Sequence, residues 1–377
     1  MKYFLSAGEA SGDIHAAQLV AALRQADATA CFAFLGGYLM ADAAGLAPVI
    51  HYNRMAYMGF CEVARHLPEV LGNLRRAKEA IAAFRPDALI LVDYPSFNLK
   101  LAKYAHSLDI PVYYYISPKV WAWKEYRVKD IKRYVRRMFS ILPFEVDFYR
   151  RRHDYNVDYV GNPSVEEITR KVENLPGRKA FCEAHGLPTD VRLLAIVPGS
   201  RRGEIRNNLP IMAEVARRMD GYLPVVAGAP GIGRDFYSAF ADFKVVEGST
   251  FELMSYAEGA MVTSGTATLE AALLGTPQVV CYRANGSRIS YGIFKRILKI
   301  PYVSLPNLIA GNEIVHEALV HLCTPDIVER ELRAVLPGGE KHAAQRIGYG
   351  QMRQRLGDNP AAATTAALLL SDLKNVK

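Results

Sequence analysis

Ser264-Gly265-Thr266-Ala267-Thr268-Leu269-Glu270 follows an apolar run, Ala260 to Thr263, that reads as a buried strand, and it opens a helical pattern. Pro198-Gly199-Ser200-Arg201 stands in the same way behind the apolar run Leu193 to Val197. A glycine at such a turn lets a ligand phosphate approach the backbone, and the first amides and positive dipole end of a helix then favour an anion. Glu270 falls one to two turns into the helix, within reach of a ribose bound beside the phosphates. An ordinary strand–turn–helix with a capping threonine gives the same string without a ligand. Two such turns in one half of the chain, one carrying Arg201 to face a diphosphate, favour a nucleotide-diphosphate ligand.

Working outward, strand and helix patterns alternate through both halves of the 377 residues, a length suited to two domains. Lys2–Ser6, Phe32–Leu35, Ala88–Val92, Val112–Tyr115 and Met138–Leu142 read as strands of the first half, with helices between them. Leu223–Ala227, Lys244–Val246 and Gln278–Tyr282 continue the second half, and helices from Glu313 onward close the chain. Near-continuous apolar strands between helices mark a parallel sheet covered on both faces. The expected architecture is α/β, two doubly wound Rossmann-like domains facing an interdomain cleft. The pattern softens from Tyr159 to Gly177, which sets the boundaries at 1–163, 164–345 and a C-terminal helical segment 346–377. Ligands in such sheets bind beyond the carboxyl ends of the strands.

Two first-half loops occupy such ends. Ser6-Ala7-Gly8-Glu9-Ala10-Ser11-Gly12-Asp13 is too rich in small residues to be chosen for packing, and its glycines are not spaced as in the dinucleotide fingerprint. Its bland reading is a capped turn. Asp93 closes the wholly apolar strand Ala88–Val92, where partial desolvation would raise its pKa and suit it to take a proton from a hydroxyl. Ser96 is a better helix cap than Asp93. In the second half, Asn307 of Pro306-Asn307-Leu308 either caps or hydrogen-bonds a sugar.

Net charge is +8, which suits a polyanionic partner. Lys119, Lys124, Arg127, Lys129, Lys132, Arg133, Arg136 and Arg137 stand in one segment against only Glu125 and Asp130. Trp121 and Trp123 lie at its start, a mixture that fits single-stranded nucleic acid or an anionic membrane interface. Phe60, Val63, Leu67, Val70, Leu71 and Leu74 recur at helical spacing, as either a core stripe or a membrane-surface helix would. No apolar run is long enough to span a bilayer, and Met1-Lys2-Tyr3-Phe4-Leu5 enters a strand without a signal-peptide pattern, so cytoplasmic residence is expected. Five scattered cysteines give no disulfide framework or zinc motif, and no Asp-x-Asp pair ends a strand to hold a metal. Arg201, Arg283 or a helix dipole then has to hold the diphosphate.

Several strings together resemble the lipid-A-disaccharide synthases, glycosyltransferases of family 19 with the GT-B fold. They are Gly8–Asp13, Met58-Gly59 with Glu62-Val63, Asp93–Asn98, Tyr115-Ile116-Ser117-Pro118-Lys119-Val120-Trp121-Ala122-Trp123, Leu142-Pro143-Phe144-Glu145, Pro198–Arg201, Ser264–Glu270 and Tyr302-Val303-Ser304-Leu305-Pro306-Asn307-Leu308. They run in the family's order, and Asn162 stands where many members carry His. The resemblance implies an inverting transfer of 2,3-diacylglucosamine from UDP to the 6-hydroxyl of 2,3-diacylglucosamine 1-phosphate, without a cofactor or metal. It implies Asp93 as base, with UDP-sugar contacts from Ser200, Arg201, Gly265, Thr266, Ala267, Glu270, Arg283 and Asn307. Glu9, Ser11, Gly12, Asp13 and Asn98 are expected on the acceptor side. Val63, Leu67, Val70, Leu71, Leu74, Trp121 and Trp123 are the expected contacts of a peripheral enzyme with the anionic inner-membrane surface, with a homodimer left open. The C-terminal helices are expected to pack back on the first domain.

The rival readings are another GT-B enzyme of UDP-GlcNAc, either a lipid-linked GlcNAc transferase or a 2-epimerase, and, ranking lower, a basic nucleic-acid-binding protein. Acyl-chain dependence separates the first pair from the favoured reading, and salt-dependent RNA binding without UDP affinity marks the last.

Overall fold

The computed structural model describes residues 1–55, 66–283 and 301–375. Phe60, Val63 and the Met58-Gly59 string lie outside them. The chain divides into two compact units, Met1–Pro163 with Asp358–Lys377, and Ser164–Gly357.

The first unit holds strands β1 (Lys2–Ala7), β2 (Cys31–Gly36), β3 (Ile50–His51), β4 (Ala88–Val92), β5 (Val112–Tyr115), β6 (Arg137–Ser140) and β7 (Asp158–Tyr159). They form one sheet in the order β3-β2-β1-β4-β5-β6-β7, with every pairing parallel. The second unit holds β8 (Arg192–Val197), β9 (Tyr222–Gly228), β10 (Lys244–Glu247), β11 (Gly259–Thr263), β12 (Gln278–Tyr282) and β13 (Glu317–Leu319), in the order β10-β9-β8-β11-β12-β13, again all parallel. Each sheet is wound outward from its first strand in both directions. The switch points therefore fall between β1 and β4, and between β8 and β11, where the helices depart to opposite faces and leave a crevice. The central strands are fully buried because each sheet has an apolar cluster on both sides.

Register fixes what emerges at each switch point. Ala7 is level with Val92, so Gly8 and Asp93 leave the first sheet side by side. Val262 is level with Val197, so the turns at Gly199 and Gly265 leave the second sheet as neighbours.

Around the sheets run α1 (Ala10–Ala26), α2 (Leu67–Phe84), α3 (Pro95–His106), α4 (Val128–Tyr134), α5 (Pro143–His153), α6 (Arg202–Arg217), α7 (Thr266–Leu274), α8 (Leu305–Ala310), α9 (His342–Leu356) and α10 (Ala361–Lys374), among others. Two expectations change here. Residues 346–356 are not part of a returning segment: α9 lies wholly in the second unit, where Gln345 and Tyr349 bond Gln278 of β12. Pro306-Asn307-Leu308 lies in α8, and the helix expected from Glu313 is replaced by β13, which completes the sheet edge beside β12.

Helix α10 belongs to the first unit. Ala361, Ala366, Leu369 and Leu373 join the cluster of β1, β4 and β5. Asp372 receives Tyr113 Oη at 2.6 Å and Arg136 Nε at 2.6 Å. Gly161 has φ +100°, and a Cβ there would collide with the carbonyl of Asn359, so the chain re-enters this unit over a glycine. Leu369 is fully buried. Leu369→Ala is therefore expected to cost ~2–5 kcal/mol in urea unfolding, whereas a loss below ~1 kcal/mol would place α10 outside the core.

Candidate functional site

At the first switch point the apolar strand β4 ends abruptly. Asp93 and the next residue, Tyr94, both take left-handed backbone conformations, φ 42° and 48°. Non-glycine residues adopt these only when their surroundings enforce them. Here the Asp93 carbonyl accepts Asn98 Nδ2 at 2.7 Å and Tyr114 Oη at 2.6 Å. The Tyr94 ring lies over Gly8, where any Cβ would strike it, and its hydroxyl donates to the Met55 carbonyl at 2.5 Å.

This turn leaves the Asp93 carboxyl half-buried. Burial, and then the neighbouring charge of Glu9, push its pKa up to about 6, against the opposing pull of Lys119 and Arg127. A carboxylate so tuned can take a proton near neutral pH.

Of the residues expected on the acceptor side, Glu9 and Ser11 are accessible, and Ser11 Oγ donates to Glu9 Oε1 at 2.8 Å. The other three are scaffold. Asp13 is buried, and its carboxylate accepts the amides of Gly37 at 2.6 Å, Leu39 at 3.1 Å and Met40 at 3.3 Å, anchoring the helix start after β2. Gly12 is buried against Ala7. Asn98 is fully buried and bridges the ends of β1 and β4 through Ser6, Val92 and Asp93. These side chains position the switch point and leave no polar atom for a sugar.

The tryptophans separate. Trp123 is 53% exposed, with the Lys124 ammonium 4.2 Å from its ring centroid. Trp121 is buried, packs edge-on against Phe144, and donates Nε1–H to Glu145 Oε1 at 2.7 Å, so it does not face a membrane. On α2 the exposed members of the expected stripe are Leu67 and Leu71; Val70 is half-buried and Leu74 packs on the core.

Glu145 is the residue that sequence reading passed over. It is almost completely buried beneath the Ser117–Trp123 segment, bonded to Trp121 and to Ser140 Oγ. Burial pushes its carboxyl up to about 8, so it stands as a neutral acid at neutral pH. Its place behind Pro143 at the start of a helix reads as an ordinary capping acid. The only sequence signal was its membership of the Leu142–Glu145 string.

At the second switch point Gly199 has φ +119°, and Glu204, one turn into α6, folds back over it. The Glu204 carboxylate accepts the amides of Ser200 at 3.0 Å and Arg201 at 3.3 Å, and Arg201 Nη1 pairs with it at 3.2 Å. Ser200 and the Arg201 guanidinium remain exposed. Gly265 has φ 156° and ψ −162°, a region open essentially to glycine alone, and the space over it is empty to 4 Å. Behind it the first-turn amides of Thr266 and Ala267 have no partner among the described residues. Glu270 is half-buried one turn further on, its pKa raised by burial and then by Glu167, with Lys171 opposing.

Arg283 has an exposed side chain, and its amide donates to Asn208 Oδ1 at 2.7 Å. Asn307 is corrected: it is fully buried, Oδ1 accepts the amides of Ile314 and Val315, and Nδ2 donates to the Val315 carbonyl and Glu317 Oε1. All four hydrogen-bonding positions of the amide are used, so none is left for a donor sugar.

The family model described as lipid-A-disaccharide synthetase matches residues 3–369. Lipid-A-disaccharide synthase of Myxococcus xanthus (strain DK1622) is 43% identical over 373 residues, 97% of this chain and 95% of its own. The synthase of Acidobacterium capsulatum is 36% identical over 372 residues, 94% and 91% of the two chains. Among solved structures, UDP-GlcNAc 2-epimerase from Neisseria meningitidis bound to UDP-GlcNAc superimposes with a TM-score of 0.62 at 15% identity over 100% of both chains. The calicheamicin glycosyltransferase CalG4 gives 0.59 at 14% identity, over 99% of this chain and 98% of its own. At that identity the likeness is one of fold, and the fold is GT-B.

The proton on Glu145 sets a pH dependence of stability. The unfolded chain releases it near pH 4.5 and the folded chain near pH 8, so wild-type stability falls as pH rises between the two. Glu145→Gln does not titrate. Its melting temperature relative to wild type is therefore expected to climb from pH 5 to pH 8, and a pH-independent difference would mean the buried carboxyl is already ionised.

Proposed function

The chain belongs to the lipid-A-disaccharide synthase family, and on that premise we propose that Asp93 removes the proton of an acceptor 6-hydroxyl as it attacks the anomeric carbon of a UDP-linked sugar. The chain is a UDP-sugar glycosyltransferase of lipid A synthesis. The donor is UDP-2,3-diacylglucosamine and the acceptor 2,3-diacylglucosamine 1-phosphate. The new O6–C1 bond forms as the bond from C1 to the UDP oxygen breaks. The anomeric centre inverts, giving a β(1→6) disaccharide 1-phosphate and UDP. The observation that carries the choice of base is the half-buried Asp93 carboxyl, lifted to about 6 at the carboxyl end of β4.

Charge leaves with the diphosphate, and the groups that meet it belong to the β8/β11 switch point. The amides of Thr266 and Ala267 are pre-aimed at an anion, and Gly265 lets it approach. Glu204 already takes the Ser200 and Arg201 amides, so on that side the phosphates are met by the exposed Arg201 guanidinium. Glu270 receives the ribose hydroxyls. Transfer requires the hydroxyl and the anomeric carbon to come within ~3–3.5 Å, which the binding of both sugars supplies.

Both substrates carry acyl chains, and no helix of the described residues is long and apolar enough to cross a membrane. The enzyme, as a monomer or a homodimer, works from the cytoplasm as a peripheral protein of the inner membrane, with exposed Leu67, Leu71 and Trp123 entering the interface.

Asp93→Asn is expected to lower kcat by ~10²–10⁴-fold while calorimetric UDP affinity stays intact; turnover like wild type would remove Asp93 as the base. The wild-type kcat/KM should rise with pH through about 6, because only the ionised carboxylate accepts a proton. Leu67→Ser with Leu71→Ser should weaken sedimentation with anionic liposomes without lowering the melting temperature. Unchanged liposome binding would place the membrane contact elsewhere.

A further inference from the structure

A groove of about 290 Å³ runs between α3 and the segment leading into α4, starting one turn from Asp93. On the α3 side Ser96, Lys100 and Lys103 form a single stripe, spaced four and three residues apart. Arg127 and Tyr126 face them, and Asp130 is the one acid on the walls. Lys100, Lys103 and Arg127 make no ion pair among the described residues. Arg127 is already oriented, because its Nη2 donates to Ser96 Oγ at 2.7 Å. Three cations against one acid, in an open groove with a hydrogen-bonded guanidinium, suit a compact dianion.

The position of the groove points to which dianion. Ser96 lies three residues beyond Asp93 on the turn that opens α3, and the Arg127 charge is felt at the Asp93 carboxyl. An acceptor whose hydroxyl meets Asp93 has its phosphate one sugar ring away. Asp13 and Asn98 are consumed by the scaffold, so neither contacts that phosphate.

We propose that the groove binds the phosphomonoester of the acceptor, with Arg127 and Lys100 selecting a sugar 1-phosphate over an unphosphorylated sugar. This rests on the reading of Asp93 as the residue that receives the acceptor hydroxyl. An anionic phospholipid headgroup shares the same chemistry and is separated by experiment.

Transfer rates are compared for 2,3-diacylglucosamine 1-phosphate and its dephosphorylated form, in neutral detergent micelles, for wild type and Lys100→Ala/Arg127→Gln. Wild type is expected to favour the phosphorylated acceptor in kcat/KM by ~10–100-fold, the scale of one or two charge-assisted hydrogen bonds. In the double variant the ratio should fall to within ~3-fold, with UDP affinity and circular dichroism unaltered. Lys100→Ala/Lys103→Ala, which changes exposed side chains only, should give a smaller fall and guards against misfolding of the first variant. A ratio unchanged in both variants, or a wild type indifferent to the phosphate, overturns the proposal. A loss equal for both acceptors, and seen only on phosphatidylcholine vesicles containing phosphatidylglycerol, assigns the groove to a lipid headgroup and also overturns it. Wild type that transfers to neither acceptor contradicts the proposed reaction itself, whereas an unchanged ratio with active enzyme contradicts only the groove.

Discussion

A fully buried apolar strand that ends in a carboxylate is the constraint on which the first unit depends. The five residues of β4 are all buried, and the chain must then turn at once, because the next side chain is Asp93. Two consecutive left-handed residues make that turn, and Asn98 and Tyr114 hold it by its carbonyl. The parallel register with β1 brings Gly8 alongside, so that the Tyr94 ring can close over a position without a side chain. The same geometry sets the chemistry: the carboxyl sits too deep to ionise at its ordinary pKa.

Such an arrangement opposes stability. Asp93, Glu145 and Glu270 all have carboxyls that burial makes harder to ionise. Each therefore holds its proton more tightly folded than unfolded, and each lowers stability as pH climbs from the unfolded to the folded pKa. For Asp93 that window runs from 3.8 to about 6. Glu145 is compensated by side-chain hydrogen bonds to Trp121 and Ser140, and Asp93 by the backbone of Tyr94. The neutral carboxyl of Glu145 ties the tryptophan segment to α5.

The central strands, the glycine turns and the two switch points were legible in the sequence, because a buried parallel strand has no polar positions and a ligand-facing turn needs glycine. Of the edge strands only β10 was; the other three were not. β3 and β7 have two residues each, and β13 has three, too few for a period to show. Asp13, Asn98 and Asn307 looked like ligand residues, since a polar side chain just past a strand reads alike whether it bonds a sugar or its own backbone. Only the count of bonds already made distinguishes them, and that count requires coordinates. Trp121 and Trp123 are two residues apart in an irregular segment, where no helical or strand period says which one is buried. The groove of α3 was hidden for a related reason: Lys100 and Lys103 lie far in sequence from the basic run that contains Arg127.

The most direct measurement is a carbon-13 titration of the aspartate carboxyls in the folded protein, with Asp93→Asn as the assignment. The expected result is one resonance that titrates near pH 6 and is missing from the variant. Loss of a resonance titrating near the ordinary aspartate value of ~4 would show an unperturbed carboxylate and contradict Asp93 as the tuned base.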